Sequence, residues 1–491
     1  MATGRGAAAG AAGPRNRSRS FAARPGERSD AVNAGIKSLC LTPSTSPKAG
    51  LCVESLPSEM LLKIFSYLDA ASLLSVGCVN KHFCHLASDN GIWLKIYSSC
   101  FQPKRTIWKM KSEQAETVSL GCAALPDRKP GYWKKEYISK QITAVKARVM
   151  RLVKPVDPYT GLPRKTKEAV KASGLSWIIV LEDKSGMKHV MEKAKLSFKE
   201  ASVTVLWYSA DWPCLGILTT LKLFGVTPLL PAHSRAPSRS GPRRRSLVAE
   251  YHLADLTAGS AAVGADKLVQ LFSLDPGLLV GLWKEENEIA FVMASLHYHQ
   301  LLERSTLGSA TARYALPPRQ PVGDDVDPEY GLHGYSLHLD VHGGSCTSLC
   351  GTFRSLFCRK GDIADGYLKL TVVSLKDNTK HLPLTGTLGL AWETDVLKGN
   401  VKDCCLMDVT LLDETGKPFW CFSASVHVKL SSKASGLYDY TGPIYTTDYA
   451  DSEGKVCAEL VWLEETKEYF LVGLVLYIST TKVNNWYGTD Y

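Results

Sequence analysis

The chain has 491 residues, of which 45% are hydrophobic and 22% charged, as in soluble globular proteins of roughly two to four domains. Residues 1–250 hold 39 Lys and Arg against 18 Asp and Glu, and residues 251–491 hold 19 against 30. Neither a secretory signal nor an apolar run of membrane-spanning length is present, so we expect an intracellular protein, cytoplasmic, nuclear or both, with no membrane partner.

The predicted elements begin after a leader rich in Ala, Gly, Arg, Ser and Pro. Residues 1–50 contain too few apolar side chains to form a core, and we predict that they are disordered. From Leu56 the spacing of apolar residues is helical. It predicts a first helix starting at Pro57, a second capped by Asp69, and a short third one, followed by a turn at Ser88–Gly91.

Residues 100–170 form a mixed, basic and partly helical region. Within it, "ITAVKARVMRLVK" (Ile142–Lys154) predicts one further helix, which Pro155 ends. Trp108 and Trp133 lie beside lysines and could stack on nucleic-acid bases, but such aromatics are more often packing anchors.

Beyond residue 171 the pattern changes to strands. Runs such as "YSLHLDVH" (Tyr335–His342) and "EYFLVGLVLYIS" (Glu468–Ser479) are rich in Val, Leu, Thr and aromatics and are separated by turn residues. Strands that follow one another without helices favour an antiparallel sandwich. The predicted fold class is therefore α+β: a small N-terminal three-helix module, then a large antiparallel, sandwich-like β-rich domain over residues 171–491.

Three connections in this domain are candidates for function. "PAHSRAPSRSGPRRRS" (Pro231–Ser246) is predicted to be a basic loop and not a strand: a phosphorylation or nuclear-import segment, or simply a solvated insertion. Pro317–Tyr335 and Ser435–Gly454 are long, acidic and carry tyrosines. Because tyrosines provide contact area at low entropic cost, these two segments are candidates for substrate contact, and the acidic balance favours a basic substrate surface.

Metal binding and cofactors are not expected. None of the 14 cysteines forms the Cys-x-x-Cys pair of common zinc sites. His338, His342, Cys346 and Cys350 are spaced four apart, but two glycines interrupt the run and its flanks alternate like a strand. We therefore predict buried structural cysteines, with no metal and no cofactor.

The helical stretch at the front has more apolar side chains than three short helices can cover, which indicates a docking surface. Packing against the basic segment after Ser98 is the alternative. Residues 53–99, with "LPSEMLLKIFSYLDAASLLSV" at their centre, resemble an F-box. The resemblance implies docking on a Skp-type adaptor, and with it on the cullin scaffold and RING subunit of an SCF ubiquitin ligase. The positions carried over are Leu56, Pro57, Met60, Leu61, Ile64, Phe65, Leu68, Leu73, Val76, Val79 and Trp93.

What the resemblance implies for the remainder is a substrate-binding role with no chemistry of its own. The sequence agrees, because it contains no P-loop, no GxSxG, no HExxH and no GxGxxG motif. The expected function is thus a non-catalytic subunit that presents an unidentified protein substrate for ubiquitination and proteasomal degradation. The alternative is a nucleic-acid-binding or protein-binding module that acts outside a ligase complex.

Overall fold

The computed structural model describes residues 53–101, 129–209, 211–229, 241–257, 262–316, 329–344, 346–386, 388–431 and 440–491. The predicted leader 1–50, most of the predicted basic loop, most of the predicted substrate-contact segment Pro317–Tyr335 and Trp108 lie outside these ranges. The chain divides into two units between Leu56 and Pro57, and the fold below is that of the second, Pro57–Tyr491. Among its described helices, none combines the length and the apolar character needed to cross a membrane.

The helices precede the sheets, apart from three short ones. In chain order they are α1 (Ser58–Phe65), α2 (Ala70–Val76), α3 (Lys81–Leu86), α4 (Asn90–Phe101), α5 (Tyr132–Leu152), α6 (Thr166–Ser173), α7 (Ala254–Thr257), α8 (Leu301–Leu307) and α9 (Thr480–Tyr487). The first three confirm the predicted helices, and we call residues 57–101 the helical module.

The predicted starts of α1 and α2 are confirmed. Pro57 has an extended backbone immediately before α1, where its missing N–H removes no helical hydrogen bond. Asp69 Oδ1 accepts the backbone N–H of Ser72 at 2.8 Å and so caps α2. Hydrogen bonds from the side chain and backbone of Ser72 also hold the pKa of Asp69 below its ordinary value.

A fourth helix follows the predicted three. The turn expected at Ser88–Gly91 is shorter, because Asp89 accepts the backbone N–H of Ile92 at 2.9 Å and α4 already begins at Asn90. The Asp-Asn-Gly sequence is thus a helix start and not a loop, since an Asp at this position satisfies a free N–H of the first turn.

Helix α5 connects the helical module to the β-rich domain. The predicted helix Ile142–Lys154 is confirmed near its end, but α5 begins ten residues earlier and has 21 residues, or about 30 Å of length. Its first half packs on α4, where the rings of Trp93 and Tyr137 are 5.4 Å apart. Its second half places Val149 in the first core of the β-rich domain.

In the described part of the β-rich domain the paired strands are antiparallel, as predicted, and one isolated bridge, Leu247 to Arg313, is parallel. Its first half contains β1 (Ser176–Asp183), β2 (Lys188–Met191), β3 (Lys195–Phe198), β4 (Ser202–Tyr208), β5 (Leu218–Pro228), β6 (Arg243–His252), β7 (Ala262–Ala265), β8 (Val269–Leu274), β9 (Leu278–Trp283) and β10 (Ile289–His297). They form sheet A, in the order β2-β1-β5-β6, and sheet B, in the order β3-β4-β10-β9-β8-β7.

The second half repeats this arrangement with different strands. They are β11 (Tyr335–His342), β12 (Thr347–Leu356), β13 (Tyr367–Val373), β14 (Leu382–Leu384), β15 (Leu390–Glu393), β16 (Lys398–Val401), β17 (Cys404–Leu412), β18 (Pro418–His427), β19 (Lys429–Leu430), β20 (Ile444–Ala450), β21 (Gly454–Leu463) and β22 (Glu468–Ser479). Sheet C has the order β12-β11-β17-β18, and sheet D has the order β13-β22-β21-β20-β19 with β14 beside β22. Strands β15 and β16 form a separate hairpin.

The four sheets are arranged as two sandwiches that share a face. Sheets A and B enclose one apolar core, in which Trp177 of β1 and Trp207 of β4 are fully buried. Sheets C and D enclose a second core around Leu339 of β11 and Leu476 of β22. Sheets B and C also meet, because Phe291 of β10 lies in a third cluster with residues of β15, β16 and β17. The sandwich-like prediction is confirmed, with two sandwiches in place of one.

The contact between sheets B and C is apolar at one end and polar at the other. Its polar end includes a hydrogen bond of 2.9 Å between His297 Nε2 and Thr410 Oγ1, and one of 3.0 Å between the hydroxyls of Ser425 and Ser273. These side chains belong to the faces of β8, β10, β17 and β18 that point away from the two sandwich cores.

Two predicted loops need correction. The segment Pro231–Ser246 was predicted not to be a strand, but β6 begins at Arg243 and takes in its last four residues. Basic side chains can line a strand when their heads find acceptors, and Arg244 donates to the carbonyl oxygens of Thr306 and Gly308. The segment Ser435–Gly454 likewise contains β20, which pairs with β21.

Candidate functional site

The helical module has its own small core. Leu61, Phe65, Leu73 and Trp93 are buried, with the rings of Phe65 and Phe83 in an edge-to-face contact of 5.6 Å. The indole N–H of Trp93 donates to the carbonyl oxygen of Ala87 at 2.7 Å. These four side chains are predicted to contact a partner, and in the structure they are buried within the chain, Trp93 in part against Tyr137 of α5. In this position they support the exposed surface from below.

The surface that remains open consists of other members of the predicted set. Met60, Ile64 and Val79 are exposed to 55%, 44% and 63%, and Pro57 is also exposed. Leu68 and Val76 are half-buried, as is Leu56 by itself. We call Pro57, Met60, Ile64 and Val79 the docking face. Large aliphatic side chains left in water at this density indicate an interaction site.

One aromatic residue of this region was missed by the sequence reasoning. Tyr67 follows α1 and is 76% exposed, with the Lys63 ammonium 5.7 Å from its ring centre. The spacing of Met60, Ile64 and Tyr67, four and then three residues apart, is the signal that could have found it. Tyr67 therefore extends the apolar stripe beyond the end of the helix.

Within the described residues, the module packs on the chain's own basic segment through α4 and through Ser88 in the turn before it. The rings of Tyr97 and Trp133 are 5.2 Å apart, and Lys134 Nζ donates to Ser88 Oγ at 3.3 Å. Burial raises the pKa of Tyr137 in this contact to about 12, with a further contribution from Cys100. Helix α5 thus covers α4 and leaves Met60, Ile64 and Val79 exposed.

A second candidate is a group of ionisable residues at the polar end of the contact between sheets B and C. Asp340, His342 and Asp408 are fully buried, and one ligand atom from each lies within 4.8 Å of the others. Burial raises the pKa of Asp340 to about 6. Burial also acts to raise the pKa of Asp408, but its hydrogen bond and charge interaction with His342 outweigh this and lower it.

The hydrogen bonds of His342 favour an internal acid–base pair over a metal site. Its Nδ1 accepts the backbone N–H of Gly344 at 3.3 Å, so in the neutral ring the proton is on Nε2. Nε2 lies 3.1 Å from Asp408 Oδ2 and donates to it. A metal ion would need the lone pair of Nε2, which this tautomer does not offer.

His338, His342, Cys346 and Cys350, which are spaced four residues apart in the sequence, do not come together as one metal site. His338 and Cys350 face each other from β11 and β12, with Nε2 and Sγ 4.0 Å apart. Cys346 is exposed in the turn between these strands, and His342 is engaged by Asp408. The regular spacing falls on two strands and a turn, so it does not bring the four side chains to one face.

Known proteins match this chain in part and over its whole length. The family model described as F-box-like matches residues 53–99. The protein named F-box only protein 15 from Homo sapiens is 50% identical over 497 aligned residues, which cover 100% of this chain and 97% of that protein. Proteins of the same name from Macaca fascicularis and Mus musculus are 54% and 45% identical; they cover 89% and 88% of this chain and are themselves covered to 100%.

Proposed function

This chain belongs to the F-box only protein 15 family of F-box proteins, and on that premise we propose that it is the substrate-recognition subunit of an SCF (Skp–cullin–F-box) ubiquitin ligase. F-box proteins are generally adaptor subunits, and their F-box generally binds a Skp-type adaptor. In this proposal the docking face binds that adaptor, which brings the cullin scaffold and the RING subunit. The β-rich domain holds a protein substrate, which is ubiquitinated and then degraded.

The exposed docking face is the observation that carries the proposal. Met60, Ile64 and Val79 are left exposed by the chain, and fully burying an aliphatic side chain of this size contributes about 1.5–3 kcal/mol. A few such anchors at the centre of an interface can supply most of its binding free energy. The chain needs no catalytic group in this role, because ubiquitin transfer takes place on partner subunits.

The test is co-purification of the Skp-type adaptor and the cullin with the full chain. We expect Met60→Glu with Ile64→Glu to abolish recovery of both, because each substitution places a charge in the apolar interface. Met187→Glu is the matched control, since Met187 is 60% exposed on the turn between β1 and β2, far along the chain from the docking face. Recovery of both partners by the double variant at the wild-type level would refute the proposal.

A second candidate is supported by the surface of α5. This helix carries Lys134, Lys135, Lys140, Lys146, Arg148 and Arg151 against one acid, Glu136, and most of these cations are exposed. Such a basic face is suited to nucleic-acid backbones. Trp133, however, packs on Tyr97 and does not present its ring to a base.

Cross-linking and sequencing of bound RNA from cells distinguishes the two functions. If α5 binds nucleic acid, Lys140→Glu with Lys146→Glu removes the RNA and leaves adaptor recovery intact. If the ligase function is correct and alone, no RNA is enriched over the double variant.

A further inference from the structure

A groove lies where the two sandwiches meet at the outer surface. One wall comes from the first half of the β-rich domain, with Trp212, Trp283 and the turn before β10. The other wall is the turn Thr394–Leu397, which joins β15 to β16. The groove encloses about 470 Å³. This is large enough for two or three side chains of an extended peptide segment.

The base of the groove is held in place by aromatic contacts. The ring of Trp392 in β15 stacks on Phe291 at 5.8 Å and meets Trp283 edge-on at 5.9 Å. The indole N–H of Trp392 donates to Asp266 Oδ2 at 2.6 Å, and that of Trp212 donates to the carbonyl oxygen of Ala290 at 3.3 Å. Because these contacts join strands of both halves, the groove is formed before any ligand arrives.

The turn that forms its outer wall presents apolar side chains to water. Val396 is 88% exposed and Leu397 is 41% exposed. The turn is nevertheless ordered, since the Thr394 N–H donates to the carbonyl oxygen of Leu397 at 2.8 Å and Thr394 Oγ1 accepts the Leu397 N–H at 3.1 Å. Exposed aliphatic side chains on an ordered turn are typical of a surface that binds a partner.

Carboxylates surround these apolar groups. Glu286 and Asp395 line the groove, and within the described residues neither forms an ion pair. Lys398 of the hairpin and Lys195 of β3 are both paired with Glu393, and Lys284, in the turn before β10, is accompanied there by Glu285, Glu286 and Glu288. The potential in the groove is therefore negative, which attracts cations and repels phosphate groups.

We propose that this groove binds an extended segment of a substrate protein in which a Lys or Arg stands beside a large aliphatic or aromatic residue. The apolar residue packs between Trp283 and Val396, and the cation lies between Glu286 and Asp395. This inference rests on the proposed function, which supplies the need for a substrate site. Nucleic acids and anionic membranes are disfavoured as ligands, because their phosphates meet the same carboxylates.

The test presents random peptides to the full chain, which is attached to a support through an added affinity tag. A phage-displayed random-peptide library is selected on the wild type. We expect the enriched peptides to contain Lys or Arg next to a large apolar residue. Glu286→Lys with Asp395→Lys should reduce binding of this pool by at least about tenfold, because both cation partners become cations.

Two further variants keep the result interpretable. Glu465→Lys with Asp490→Lys changes charge equally at exposed sites outside the groove and should leave binding unchanged. Val396→Ser removes the apolar contact at a site so exposed that the fold does not depend on it, and it should also weaken the pool. The inference is overturned if no peptide is enriched, if the enriched peptides lack basic residues, or if the groove variants retain the pool.

Adaptor recovery, measured on the same preparations, separates this inference from the proposed function. Adaptor binding without groove-dependent peptide selection would leave the ligase role standing and refute the groove. Groove-dependent selection of basic peptides without adaptor binding would support the groove and refute the ligase role.

Discussion

Asp340 and Asp408 lie directly opposite each other on the paired strands β11 and β17, and both side chains are fully buried between two sheets. Two carboxylates in this position disfavour ionisation of each other. Of the two carboxylates, His342 donates its hydrogen bond to Asp408, and this bond favours the ionised form of Asp408. Burial raises the pKa of Asp340 to about 6, to which the Asp408 carboxylate adds, whereas the interaction with His342 outweighs burial at Asp408 and lowers its pKa.

The first prediction follows from the raised pKa of Asp340. The folded chain holds this proton up to about pH 6, whereas an unfolded Asp loses it near 3.8, so ionised Asp340 destabilises the fold at neutral pH. One pKa unit corresponds to about 1.4 kcal/mol, which gives a cost of roughly 3 kcal/mol. We expect Asp340→Asn to raise the free energy of unfolding at neutral pH and to lose this advantage near pH 4. Urea unfolding of variant and wild type at neutral pH and at pH 4 measures this difference, with Asp362→Asn at an exposed site as the control. An equal stabilisation by Asp340→Asn at the two pH values would contradict the prediction.

The second prediction concerns neighbouring residues of α1 with opposite orientations. Ile64 is exposed and Phe65 is buried against Phe83. Ile64→Ala should weaken adaptor binding and leave the thermal transition of the helical module unchanged. Phe65→Ala should lower the free energy of unfolding of the module by about 3–5 kcal/mol, because it leaves a cavity. The measurements are the adaptor affinity and the thermal unfolding, by circular dichroism, of both variants. If Ile64→Ala weakens binding only as far as it unfolds the module, the assignment of Ile64 to the docking face is wrong.

The third prediction concerns the basic start of β6. Arg244 donates to the backbone carbonyls of Thr306, in the last turn of α8, and Gly308, just after it, and burial lowers the pKa of its guanidinium. Arg244→Ala should lower the free energy of unfolding by about 2 kcal/mol, since it removes charged hydrogen bonds to half-buried carbonyls. Its neighbour Arg245 is exposed, and Arg245→Ala is the control with little expected change. Equal melting temperatures for the two variants would contradict this prediction and would support the interpretation of the basic segment as a solvated insertion.

The fourth prediction concerns Gly225 in β5. A Cβ at this position would lie 2.1 Å from the carbonyl oxygen of Ser305 in α8. The same helix is fixed by the Trp177 indole, which donates to Ser305 Oγ at 3.1 Å. Gly225→Ala should therefore displace α8 and quench or shift Trp177 fluorescence, whereas Gly361→Ala meets nothing within 4 Å and should be silent. An unchanged emission spectrum of the Gly225 variant would show that α8 is not fixed in this way.

Much of the β-rich domain could be predicted, because its inward faces alternate with apolar residues. The predicted limits of β11 and β22 agree with the structure. The alternation of apolar and polar residues could not show whether the polar face of a strand is exposed to solvent or covered by another sheet. The polar face of β11, with His338, Asp340 and His342, has the pattern of a solvent-facing strand, yet it is covered by sheet B. Burial of a polar face depends on a second sandwich far along the chain, and local sequence does not encode it.

The docking set shows the same limit on a smaller scale. Helical periodicity identified Met60, Leu61, Ile64 and Phe65 as apolar, but core and docking positions have the same composition. Only the position of α3, which places Phe83 against Phe65, decides which of them point inward.

Helix α5 has a mechanical consequence. Trp93 packs against Tyr137 in the first half of this helix, and Val149 in its second half is buried in the core of the first sandwich. A torque applied to the helical module therefore reaches the sandwiches through a continuous α-helical shaft of about 30 Å, since backbone hydrogen bonds resist its twisting. Inserting a single residue into α5 would rotate one end against the other by about 100° and lengthen the shaft by about 1.5 Å, whereas seven residues would nearly restore the phase. In the proposed ligase complex, the direction in which a bound substrate would face the ubiquitin-carrying subunit therefore depends on the number of residues in α5.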